Sequence, residues 1–152
     1  MMKGNFEDKL KGKYEYFGVT ADIGFYSYGK SLEKGFENAG MALFDVISEI
    51  DLVDENISKK ISIESEDIIS LLYDYLEELL FLHETEFLLF SKFKVIFIKN
   101  NGNFYKLDVI AYGEEINWDK HVKKSEVKAI TFHQMNVEKK ENIYILKVIL
   151  DL

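Results

Sequence analysis

Two apolar stripes at helical spacing, set among segments that alternate or run apolar like strands, restrict this chain to an α+β fold. In the first stripe Leu32, Phe36, Ala39, Leu43, Ile47 and Ile50 recur every three or four residues. Ser31 is placed to cap that helix, and Glu33 lies in its first turn, where a negative charge is favoured. Gly35 and Gly40 each weaken it by roughly 1 kcal/mol relative to alanine, so packing has to hold it together. Their small size would let a sheet approach closely. The second stripe starts from Ser65 or Asp67 and comprises Ile68, Leu72, Tyr75, Leu79 and Leu82, broadened by Ile69, Leu76 and Leu80. So wide a face implies burial between layers.

The remaining segments read as strands. Tyr14 to Phe17 and Ile23 to Tyr28 flank a small-residue turn, Gly18-Val19-Thr20-Ala21-Asp22. Lys59 to Glu64 alternates around Ile61 and Ile63. Phe93 to Lys99 and Phe104 to Tyr112 flank Asn100-Asn101-Gly102-Asn103, and Asn-Gly supplies the positive φ that a hairpin turn needs. Val127 to Val137 and Ile143 to Leu150 make a further pair, joined through Glu138 to Asn142. The order implies a mostly antiparallel sheet, or two packed sheets, with two helices covering one side. The 152 residues fit a single domain, 1–152, with a loose polar leader over 1–13. No proline marks a linker.

Composition narrows the function classes. The chain has no cysteine, which removes disulfides, thiolate zinc sites and cysteine nucleophiles. Its formal net charge is −8, and all 19 basic residues are lysine. Phosphate contacts dominate nucleic-acid affinity, and arginine is the side chain best shaped for phosphates and base edges. Direct nucleic-acid binding is therefore not expected, whereas a basic protein partner suits the charge. No apolar run approaches a membrane span and no signal peptide is recognisable, so a cytoplasmic location is expected.

No phosphate-binding glycine loop, Gly-x-Ser-x-Gly elbow or His-Glu-x-x-His pair occurs. His83, His121 and His133 are too far apart for a local metal motif and read as structural residues. Thr131 and His133 share a face if the strand is regular. Among the carboxylates, Glu77 and Glu78 belong to a solvated helix face. Asp22 stands apart, among small residues at a strand edge. So does Asp151, which ends the apolar strand Tyr144 to Leu150 and is followed by Leu152 and the terminal carboxylate. If these met they would form an oxygen-only cluster suited to a hard cation. Spacing alone does not bring them together, and two unrelated strand-end carboxylates fit it as well.

Several ordered blocks resemble the archease family. Thr20-Ala21-Asp22 and the segment Tyr28 to Ala39 resemble its opening, and Leu71 to Leu80 its second helix. Gly113-Glu114, Lys120-His121 and the segment Glu126 to His133 resemble its late block, and Ile149 to Leu152 its ending. The resemblance runs from about Tyr14 to Leu152. It implies an accessory protein of RtcB-type RNA ligases, which act in tRNA splicing and RNA repair. Such a protein promotes guanylylation of the ligase and its repeated turnover and can broaden its nucleotide use; it is not itself an enzyme. The resemblance also implies a divalent metal, calcium with magnesium or manganese as alternatives, held by Asp22, Asp151 and Leu152.

Three positions depart from the family pattern. Gly18-Val19 stand where the family usually has Asp-His before Thr-Ala-Asp, which removes a charge and an imidazole beside the site. Phe132 stands where a tyrosine is common. Alternative readings are a stand-alone metal-dependent phosphoester hydrolase, since paired carboxylates can activate water through a metal, and a structural adaptor whose metal only fixes the last strand. Glu126, Lys128 and His133 are candidates for the partner-facing surface, or simply parts of an ordinary strand.

Overall fold

A computed structural model describes residues 12–152. Most of the expected leader, residues 1–11, lies outside the described residues. The elements run β1 (Tyr14–Val19), β2 (Asp22–Gly29), α1 (Leu32–Ile47), a 3-10 turn (Ile50–Leu52), β3 (Ile57–Ser65), α2 (Ile68–Glu86), β4 (Leu88–Asn100), β5 (Tyr105–Glu115), β6 (Ala129–Lys140) and β7 (Ile143–Asp151). The strands form two antiparallel sheets, one ordered β1-β2-β7-β6 and the other β3-β5-β4. The class is α+β, with two sheets rather than one. Each helix packs against strands of both: α1 on β2 and β7 and on β4, α2 on β6 and on β3 and β5.

The first helix shows how the sequence produces this arrangement. Ser31 caps it by accepting a hydrogen bond from the Lys34 N–H at 3.1 Å. Phe36, Ala39 and Leu43 are fully buried along its stripe. Gly35 lies so close to β7 that a Cβ there would meet Leu146 Cδ1 at 2.8 Å. On another face, a Cβ on Gly40 would meet the Tyr75 hydroxyl at 2.6 Å and Phe93 at 3.0 Å. The two glycines that weaken the isolated helix are therefore what lets it touch a sheet on one side and α2 with β4 on the other. Ile50, the last member of the expected stripe, lies in the separate 3-10 turn, because Ser48 is extended and ends α1.

Turns set the strand registers. Gly102 adopts φ 95° between β4 and β5, as Asn-Gly predicts. Glu141 and Asn142, both at positive φ, form the two-residue turn between β6 and β7. Phe87, at φ 57°, ends α2 in the left-handed conformation and lets β4 begin at once, five residues before the expected Phe93. In β6 the pairing with β7 breaks between Thr131 and Asn136, and Gln134 has φ 54°. This bulge interrupts the alternation, and the buried positions change parity from Ile130 before it to Met135 after it. Thr131 donates to the Ile149 carbonyl, whereas His133 is exposed.

Candidate functional site

The pairing of β2 with β7 puts Asp22 directly opposite Asp151. Val19 flanks Asp22 on β1, and Ala129 flanks Asp151 on β6, giving one row across the sheet: Val19, Asp22, Asp151, Ala129. Directly opposed residues of an antiparallel pair project to the same face, with Cβ atoms about 4.5–5.5 Å apart. Both aspartates are half-buried, and neither forms an ion pair among the described residues. Two unit charges at such a distance repel by roughly 1 kcal/mol even in bulk water, and more when partly desolvated. Like charges directly opposite each other destabilise a sheet. Leu152 follows Asp151, and its side chain packs against the main core, which holds the end of β7 in place.

Backbone strain sits beside Asp22. The β1–β2 hairpin turns on Thr20 and Ala21, and Ala21 has φ 63°. A left-handed conformation costs an L-residue roughly 1–2 kcal/mol. On the far side, the Lys128 N–H donates to the Asp151 carbonyl at 2.8 Å, so the segment entering β6 is tied to the same row.

That segment is anchored by a second group of charges, which sequence reasoning did not assemble. His121 is buried, and its Nδ1 accepts the Asn117 N–H at 2.9 Å. Its Nε2 is therefore the protonated nitrogen and donates to Glu114 Oε2 at 2.8 Å. The same oxygen receives Lys120 Nζ at 2.6 Å and the Asp54 N–H at 2.8 Å, while Asn56 donates to Oε1 at 3.1 Å. Burial pushes the Glu114 carboxyl up, but the hydrogen bonds from Lys120, the Asp54 N–H and His121 outweigh it and hold its pKa down to about 2. Further along, the Lys124 and Ser125 N–H groups donate to the Ile47 and Val46 carbonyls. Residues 116–128 are thereby clamped from β5 to the edge of β6. Of the other candidates, His83 Nδ1 lies 2.8 Å from the Leu88 carbonyl and closes the α2–β4 junction. Phe132 stacks on Tyr73 with ring centroids 3.9 Å apart. Glu126 and Lys128 are exposed.

Among the described residues no group of three or more His, Asp or Glu side chains is arranged to hold a metal ion. The donor set near Asp22 is thus two carboxylates with backbone oxygens nearby. That chemistry fits a hard cation and not zinc.

With this geometry in view, residues 14–152 match the model of the archease protein family. The chain belongs to the archease family. It is 48% identical over 143 residues to the protein archease of Methanothermobacter thermautotrophicus, covering 94% of this chain and 100% of that one. Against the protein archease of Pyrococcus abyssi it is 46% identical over 127 residues, covering 84% and 89%. A solution structure of protein 1598 from Methanobacterium thermoautotrophicum superposes with a TM-score of 0.82 at 48% identity, covering 92% of this chain and 99% of that one. A Thermotoga maritima crystal structure, described as an archease and possible chaperone, shares the archease fold at a TM-score of 0.57 and 20% identity, covering 90% and 94%. No helix among the described residues is long and apolar enough to cross a membrane.

Proposed function

We propose that this archease is an accessory protein of an RtcB-type RNA ligase. In this reading it promotes the ligase's guanylylation and repeated turnover in tRNA splicing and RNA repair, through a divalent cation held by Asp22, Asp151 and a backbone oxygen of Leu152. The observation that carries the reading is the opposition of Asp22 and Asp151, two half-buried carboxylates without a cationic partner among the described residues. Family membership and the ordered blocks of sequence support the choice of partner.

A bound divalent ion would supply charge neutralisation and an electrophilic centre for oxygen ligands. Calcium fits the oxygen donors, and magnesium or manganese are alternatives. The chain's own residues do the rest. The β2–β7 register holds both carboxylates on one face, and the Lys128–Asp151 hydrogen bond fixes the row from the β6 side. Two carboxylates and a backbone oxygen are few donors for an ion that takes six to eight. The remaining positions are open to groups from the partner, and the chain's charge of −8 favours a basic docking surface there. Gly18 and Val19 add no ligand beside Asp22, so the site depends on Asp22 and Asp151.

The test is a turnover assay with the cognate ligase. Adding the protein should raise ligase guanylylation and the number of ligation rounds, and Asp22→Asn or Asp151→Asn should abolish the gain with no loss of melting temperature in metal-free buffer. Unchanged guanylylation on addition of the native protein would sink the proposal. Stimulation lost only in proportion to stability would favour the structural adaptor. Phosphoester hydrolysis by the protein alone, abolished in Asp22→Asn, would make it an enzyme.

A further inference from the structure

A cleft of about 1060 Å³ lies at the opposite end of β2 from Asp22, between the first turns of α1 and the start of β4. From Asp22 to Gly29 the strand rises about 23 Å, so the cleft and the aspartate pair are separate places. Its charge is the reverse of the molecule's. Five lysines line it, Lys13, Lys30, Lys34, Lys92 and Lys94, against two glutamates, Glu37 and Glu55, in a chain of net charge −8.

Both glutamates are already engaged. Glu37 Oε1 accepts Lys34 Nζ at 3.0 Å, and its Oε2 accepts the Val95 N–H at 3.0 Å. Glu55 pairs with Lys92 at 3.8 Å. Lys13, Lys30 and Lys94 form no ion pair among the described residues, and all three are exposed. Ser91 also lines the cleft, and its hydroxyl has no hydrogen-bond partner among the described residues. Met41 and Phe93 give an apolar wall, and the Asn38 side chain is held in place by its hydrogen bond to the Tyr28 carbonyl at 2.6 Å.

We infer that this cleft binds a small polyphosphate, of the class of nucleoside di- and triphosphates. The volume is about that of a large small-molecule pocket. Three ammonium groups on flexible stems, without an ion pair among the described residues, suit a chain of two or three linked phosphates, which lysine grips as a point charge without the fixed fork of arginine. Extended RNA needs a long run of basic surface, whereas these lysines converge on one cleft.

The experiment is a calorimetric titration of the whole protein with ATP and with inorganic tripolyphosphate, in buffer free of divalent cations so that Asp22 and Asp151 play no part. Binding should be measurable for both, and it should weaken steeply between about 0.05 M and about 0.5 M salt. The double variant Lys30→Glu/Lys94→Glu should weaken it about tenfold or more. Lys99→Glu/Lys140→Glu, with the same change in net charge outside the cleft, should change it less than about twofold. Melting curves verify that both variants are folded. Absence of binding at millimolar ATP, equal weakening by the two double variants, or tighter binding of a single-stranded RNA lacking a terminal triphosphate would each overturn the inference. Polyphosphate binding by a native protein that fails to stimulate the ligase would count against the proposed function alone.

Discussion

Glu114 and the Asp22–Asp151 pair place carboxylates at two points along the same stretch of structure, and they are treated in opposite ways. Glu114 receives hydrogen bonds from Lys120, His121, Asn56 and the Asp54 backbone, so both of its oxygens are satisfied. Asp22 and Asp151 face each other across a strand pair with no basic side chain paired to either among the described residues, beside an alanine in the left-handed conformation. A satisfied carboxylate stabilises the fold and is spent there. Two directly opposed carboxylates without a cationic partner among the described residues repel each other in the free protein and keep binding capacity for something else. The first group positions residues 116–128, and those residues lead to the second.

The largest expected effect breaks the clamp. His121→Ala removes a buried ring and leaves Glu114 and the Asn117 N–H each short of a partner, so it should cost about 2–4 kcal/mol in denaturant unfolding. A cost near zero would erase the contrast between the two groups. The pH dependence of Glu114 is a smaller effect with a defined sign. Its pKa is lowered from 4.5 to about 2 on folding, so its contribution is present above about 4.5 and is lost as pH falls towards about 2. The native protein should therefore lose stability relative to Glu114→Gln across that window, and parallel stability curves would contradict the assignment.

At the aspartate pair the signs reverse. Asp151→Asn in metal-free buffer should stabilise the protein by about 0.2–1 kcal/mol, because it removes a like charge from a directly opposed pair. Destabilisation there would mean that the aspartates are structural. Ala21→Gly should add about 0.5 kcal/mol or less, since relief of the left-handed conformation is partly offset by the greater freedom of glycine in the unfolded chain. A thermal melt reads both changes.

What could be read in the sequence and what could not divide along the same physical line. Apolar periodicity is local, so both helical stripes and the Asn-Gly hairpin were legible, and Gly35 and Gly40 marked close approaches before any were seen. Pairing between distant strands is not local. Asp22 and Asp151 are distinguishable one by one, but only the β2–β7 register makes them opposite, and only family resemblance suggested it beforehand. The Glu114 clamp escaped because it joins side chains and backbone N–H groups over residues 54–121 with no repeating spacing. Its one signal was Glu114 followed six and seven residues later by Lys120 and His121. The lysine cleft escaped for a related reason. It is assembled from residue 13, residues 28–41, Glu55 and residues 91–94, and no single segment is basic enough to stand out in an acidic chain. The β6 bulge at Gln134 was not legible either, since nothing local in the sequence marks the break in register that reverses the alternation after it.

The proposed function requires that the Asp22–Asp151 pair be an ion site and not an accident of strand ends. Titrating calcium, and separately manganese, into native protein, Asp22→Asn and Asp151→Asn by calorimetry tests this directly. The account predicts one site per native chain, a rise in melting temperature on metal addition, and affinity at least about tenfold weaker in either variant. Equal affinity in all three proteins, or no binding by the native chain, would contradict it.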